Sequence, residues 1–212
     1  MLFIRHTLCL ALKVASAMLL SVSDGNCQSV VAGPTNIVEL QLQKLQKECE
    51  NPTLTGQSRD YVSVTEWIRH ECVTNLKSLG PEIIPEVRKH ADDHAVGVYK
   101  DMLTIALAAL GDDSATTNAA QLMLESTNAT IRVCAAFELR KTKNKKLIEP
   151  FKKALNDTYK RPSGMDVGSG DRIKLIYPVR IIASDALVEL GVPFEEVRKL
   201  RGDYEEQDAR NR

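Results

Sequence analysis

Only a few side chains in this chain have the types and spacing that chemistry needs. His70-Glu71 is a metal-ligand or acid-base dyad by type, and Cys9, Cys27, Cys49, Cys72 and Cys134 are the thiols. A two-metal site needs several ligands converging from different elements. The residues that correspond to the dyad in three related stretches are Asp101-Met102, Val133-Cys134 and Ile181-Ile182. The dyad therefore stands alone, no metal is expected, and His70 and Glu71 are expected on the surface. No cysteine spacing matches a zinc site. The GSGDR segment at Gly168–Arg172 is no phosphate loop, because it lacks a Gly-Lys-Ser/Thr ending and no strand precedes it. With no nucleophile, acid-base pair or cofactor box independent of the related stretches, no catalytic or cofactor-binding residue is assigned and the chain is not expected to be an enzyme.

Charge supplies the remaining candidate. Arg140, Lys141, Lys143, Lys145, Lys146, Lys152 and Lys153 form a basic run, and Lys160, Arg161, Arg172 and Lys174 follow it in a glycine-containing segment. Of these, Lys145, Lys146, Lys152, Lys153, Lys160, Arg161 and Arg172 are the partner-binding candidates, an electrostatic footprint suited to an anionic surface. The competing reading is a solvated helix face, since formal net charge over the chain is +0 and no aromatics interleave for base stacking. A protein partner, acidic if this run is used, is expected, and nucleic acid is not.

The elements that must position these residues recur along the chain. IRHECVTNLKSLG begins at Ile68, YKDMLTIALAALG at Tyr99, IRVCAAFELRKTK at Ile131 and VRIIASDALVELG at Val179. Each opens on an apolar residue and a cation. Small or apolar residues stand fifth (Cys72, Leu103, Ala135, Ala183) and leucine ninth (Leu76, Leu107, Leu139, Leu187). A recurrence of about 30 residues marks stacked helical units. Apolar steps of four, four and three place Ile68, Cys72, Leu76 and Leu79 on one helix face. Gly80, Gly111 and Gly191 suit the left-handed position beyond a helix end, and Pro81 and Pro193 discourage continuation. The third copy lacks the glycine, and Asn144 is its nearest residue tolerant of such a cap. A second apolar segment follows each copy: Ile83, Ile84 and Val87; Ala120, Leu122, Met123 and Leu124; Leu147, Ile148, Phe151 and Leu155; Phe194, Val197 and Leu200. Neither helix of such a pair hides its apolar stripe alone, so neighbouring units must stack.

On these residues, above all IRVCAAFELRKTKNKKLIEPFKKALND and YPVRIIASDALVELG, the chain resembles the short HEAT repeat over roughly residues 64 to 200. The resemblance implies an all-α, armadillo-like α-solenoid of about four helix-turn-helix units, used as a protein-binding scaffold or adaptor. Similar repeats occur in bilin lyase subunits, so an accessory role beside a lyase or other enzyme is the alternative, with a structural envelope role as a third reading. Deoxyhypusine hydroxylases, which also resemble it, hold a di-iron centre on several His-Glu pairs; the single pair here does not supply them.

The rest of the chain is organised around this domain. Residues 1–32, with Arg5 and His6 before an apolar run from Leu8 to Val22, have the outline of a signal peptide and leader. Export is therefore expected, with membrane contact only if the leader is retained and a cytoplasmic location if it does not function. Residues 33–63 are expected to hold a capping helix, on Ile37, Leu40 and Leu45, and a loop from Asn51 to Asp60. The repeat domain is assigned to 64–201 with an inserted loop near 158–174, and 202–212 to a polar tail. Cys72 and Cys134 read as small core residues. Cys27 and Cys49 lie outside the copies and could pair in an exported chain, although no spacing rule fixes that bond.

Overall fold

The computed structural model describes residues 34–50, 61–162 and 175–201; the leader, the Asn51–Asp60 loop, Arg172 and the polar tail lie outside them. The fold is helical. In chain order the helices are α1 (Pro34–Glu50), α2 (Tyr61–Ser78), α3 (Ile84–His94), α4 (Gly97–Ala109), α5 (Asp113–Glu125), α6 (Ala129–Thr142), α7 (Ile148–Ala154), α8 (Pro178–Glu189) and α9 (Phe194–Arg201). Short 3-10 turns at Pro81–Ile83 and Lys145–Leu147 lead into α3 and α7. One two-residue antiparallel pairing, Arg161–Pro162 (β1) with Leu175–Ile176 (β2), brackets the inserted segment.

The recurrent stretches become α2, α4, α6 and α8, and their fifth and ninth positions are all buried, Cys72, Leu76, Leu103, Leu107, Ala135, Leu139, Ala183 and Leu187, whereas Ile68 and Leu79, expected on the same face of α2, are only partly buried. Apolar residues four and three apart share one face of a helix, and burying that face is what removes most apolar area from water. The helix α4 is the centre of the assembly. It packs on α1, α2, α3, α5 and α6, and it is buried on several sides through Met102, Ile105, Ala106 and Ala108. Outward from it, α6 packs on α8, and α8 on α7 and α9. In a strictly linear stack each unit touches only its neighbours. Here α2 also packs directly on α6, skipping a unit.

Helix ends follow the local sequence. Gly80, Gly111 and Gly191 have φ of 93°, 98° and 93°, the left-handed backbone that closes α2, α4 and α8. In the third copy the left-handed residue is Lys143, at φ 55°, and Asn144 instead accepts from Lys146 N at 3.0 Å to cap the following turn. Lys143 occupies the same register position as the glycines, so geometry fixed by the stack overrides the preference for a residue that tolerates that backbone. Asp112 caps α5, accepting from Ser114 N at 3.0 Å and Ala115 N at 3.1 Å while pairing with Arg88. Burial opposes its ionisation, but the Arg88 bond, the Ala115 amide and the Ser114 hydroxyl outweigh that and hold its carboxyl at about 2.

Two expectations about apolar faces need correction. In α1 the buried residues are Val38, Leu42 and Leu45, whereas Ile37 and Leu40 are 46% and 60% exposed. The helix is rotated from the expected register, because Val38, Leu42 and Leu45 make the more continuous stripe. In α9 Val197 is buried, but Phe194 is 64% exposed and Leu200 is half exposed, since no later helix of the described residues stacks over them.

Candidate partner-binding surface and the buried polar joint

The basic residues expected to face a partner divide sharply once placed. Lys145 and Lys146 sit on the turn before α7, exposed, with Lys146 Nζ only 4.0 Å from Asp113. Lys153 is exposed on α7. By contrast Lys152 is held between Glu149 at 3.3 Å and Glu196 at 3.2 Å, tying α7 to α9. Lys160 lies over the Tyr177 ring, 5.1 Å from its centroid, and Arg161 pairs with the buried Glu66 on α2. Arg172 lies outside the described residues. The structure thus leaves Lys145, Lys146 and Lys153 exposed and engages Lys152 and Arg161 with carboxylates of other helices.

The start of the basic run is likewise engaged. Arg140 Nη1 donates to Asp185 at 2.8 Å and its Nε to Glu189 at 3.0 Å, and Lys143 also pairs with Glu189. The bonds from Arg140 and Lys143 hold the Glu189 carboxyl at about 2. These contacts bridge α6 and α8, so this part of the run is an inter-helix ion network and not a freely solvated face.

Sequence reasoning misplaced His70. Its ring is largely buried, tilted at 48° against Phe137 with ring centroids 4.3 Å apart, and Nδ1 donates to Glu138 Oε1 at 2.9 Å. Glu138 on α6 is 1% exposed and also accepts from Lys141 at 3.0 Å. Burial works against its ionisation, yet the His70 bond and the Lys141 charge outweigh it and bring its carboxyl below the ordinary range. Glu71, the other half of the dyad, is exposed and pairs with Lys44 at 3.3 Å. Glu66, one turn before His70, is buried as well, and there burial wins over Arg161 and raises its carboxyl. Glu66 Oε1 and Glu138 Oε2 accept no hydrogen bond. This polar joint holds α2 against α6. Its signal in the sequence was weak: Glu66 and His70 are four apart on one helix face, and Glu138 interrupts an otherwise apolar face of α6.

The three arginines at the second motif position act as clamps, whereas Lys100 in the second copy is exposed. Arg69 donates to Glu48 O at 3.4 Å. Arg132 Nε donates to Asp157 Oδ2 at 2.6 Å and its Nη1 to Ser126 O at 2.8 Å, while Arg180 donates to the carbonyl of Asp157 and covers the Tyr177 ring at 4.2 Å. Cys72 and Cys134 are fully buried and free, as expected of core thiols, and Cys49 is free and half buried. Burial pushes Cys49 up to about 12 and Cys72 to about 11, so both remain protonated thiols with little nucleophilic character. Cys27, the suggested mate of Cys49, lies outside the described residues. Among the described residues no group of three or more His, Cys, Asp or Glu could hold a metal ion, and no helix is long and apolar enough to cross a membrane.

A surface groove of about 320 Å³ runs between α4 and α5, lined by Lys100, Asp101, Asn118, Gln121 and Glu125 among others. Partial burial there raises the Asp101 carboxyl. Its mixed charges and amides give it hydrogen-bonding capacity without a nucleophile-base pair. Searched as a whole, the chain matches no protein-family model and no curated protein.

Proposed function

We propose that this chain is a non-catalytic, HEAT-like helical scaffold that binds another protein through the outward surface bearing Lys145, Lys146 and Lys153. The observation that carries the reading is the division of labour among charged residues. Those with chemical potential are spent inside the fold, His70 and Glu138 joining α2 to α6 and Glu66 pairing α2 with Arg161 of β1, whereas these three lysines are exposed on α7 and the turn before it. Recurrent helix pairs with clamped turns make a rigid platform, and exposed cations on a rigid element steer and orient an acidic surface. The leader read in residues 1–32 adds export to the proposal, and finding the uncleaved chain in the cytosol would remove that part.

The test uses the chain immobilised against envelope and cytosolic fractions of its own cell, with the retained protein identified by mass spectrometry. The triple variant Lys145→Glu/Lys146→Glu/Lys153→Glu should then weaken association with that protein at least tenfold while leaving the circular dichroism spectrum unchanged. Unaltered association would eliminate this surface. Retention of many anionic species that wash off in moderate salt would point to nonspecific charge and count against the scaffold reading.

A further inference from the structure

We propose that copies of this chain associate head to tail, the outer face of α1 in one copy seating on the outer face of α8 in the next. This goes beyond the scaffold reading and requires no second protein.

The argument starts from how one recurrent helix receives its neighbour inside the fold. On α6 the tenth motif position, Arg140, crosses to Asp185 and Glu189 of α8, and the third position, Val133, on the same side of the helix, is buried. The corresponding positions of α8 are Ile181 and Val188, and they are 42% and 43% exposed. Asp185 lies between them, half exposed and meeting Arg140 on one side only. So α8 displays an aliphatic-acid-aliphatic stripe at helical spacing, opposite the face that buries Val179, Ala183 and Leu187.

At the other end α1 displays the counterpart. With Val38, Leu42 and Leu45 turned inward, its outer face carries Ile37, Leu40, Lys44 and Lys47, again three and four residues apart. Both stripes have the same pitch. One pairs aliphatics with an acid and the other pairs aliphatics with cations, which is the complementarity already used between Arg140 and Asp185.

Terminal units of a stacked helical protein need a polar outer face to stay apart. Both ends of this one expose aliphatic residues instead. Like-with-like pairing is disfavoured, because two α8 faces would oppose Asp185 to Asp185 and two α1 faces would oppose Lys47 to Lys47, Lys44 being already paired with Glu71. Pairing α1 with α8 relieves both. Such a contact uses different surfaces on the two copies, so it leaves one free face of each kind and continues into a ring or a chain.

The full chain should show a weight-average mass in sedimentation velocity that rises with concentration and falls with salt. Leu40→Asp and Val188→Lys, both at exposed positions, should each weaken association at least tenfold with unchanged circular dichroism. An equimolar mixture of the two should associate again, since each supplies the face the other has lost. Lys47→Glu should weaken association and reduce its salt dependence. A wild-type chain that stays monomeric at every concentration, single variants that still associate, or a mixture that stays monomeric would each overturn the proposal.

Discussion

Helix α6 is charged along both of its lateral joints, yet the two joints differ in kind. Toward α2 it offers Glu138, 1% exposed, to His70, with Glu66 and Arg161 close by. Toward α8 it offers Arg140 and Lys143 to Asp185 and Glu189, all partly in water. The same chemistry therefore has opposite weight. Exposed ion pairs contribute little because solvent screens them and side-chain ordering opposes them. Buried partners are committed, because removing one leaves the other desolvated and unpaired. The α2 joint is held by what cannot be taken away, and the α8 joint by the apolar residues beneath its ions.

His70→Ala should be the most damaging single change, costing roughly 3–5 kcal/mol as Glu138 keeps only Lys141 in a buried site. Urea unfolding would measure it, and a loss under 1 kcal/mol would dissolve the distinction between the joints. Leu187→Ala, at a fully buried position on the inner face of α8, should cost roughly 2–5 kcal/mol, with protection from hydrogen exchange lost mainly in α8 and α9. If that variant melts like its parent, the register assigned to α8 is wrong.

Acid should tell the two buried carboxylates of the α2 joint apart by sign. The Glu138 carboxyl lies below its ordinary 4.5, so as pH falls the unfolded chain takes up this proton first. Its stabilisation is complete above that value and is lost as pH drops further. Glu66 is raised, so its ionisation penalises the fold, and that penalty fades as pH falls toward 4.5. Glu138→Gln should flatten the acid limb of a stability-versus-pH curve, and Glu66→Gln should flatten the opposing slope above it. Curves that superimpose on the wild type would show that neither group is coupled to folding.

Two small effects complete the contrast. Arg140→Ala should change stability by less than about 1 kcal/mol, as an exposed network predicts. Lys143→Gly should do no more than about 1 kcal/mol in either direction. It relieves a left-handed backbone but frees the unfolded chain and removes the Glu189 pair.

What the sequence disclosed tracks what periodicity can encode. The fifth and ninth motif positions were legible because their burial follows from spacing along one helix, as were the three glycine closures. The contact of α2 with α6 was not, since it links stretches that are not successive and leaves no period behind. His70 looked solvent-facing because the other copies carry no related residue at its position, which is what a contact made only once produces. The basic run read as one surface because sequence shows charges without their mates, and Glu189 and Glu196 come from helices far along the chain. The α1 register failed for a different reason: Ile37 and Leu40 are aliphatic but outward, and pattern alone cannot separate a core stripe from an exposed one.

The inserted segment leaves and re-enters the helical body at adjacent points. Arg161 lies opposite Ile176 across a two-residue pairing, Tyr177 receives both Lys160 and Arg180 on its ring, and Arg180 also donates to the Asp157 carbonyl while Arg132 donates to the Asp157 carboxylate. The two feet are thus riveted to each other and to the frame before residue 163 begins. In engineering terms this is a splice point, whose paired and anchored feet would hold the two ends of an inserted reporter or second domain in register with the frame.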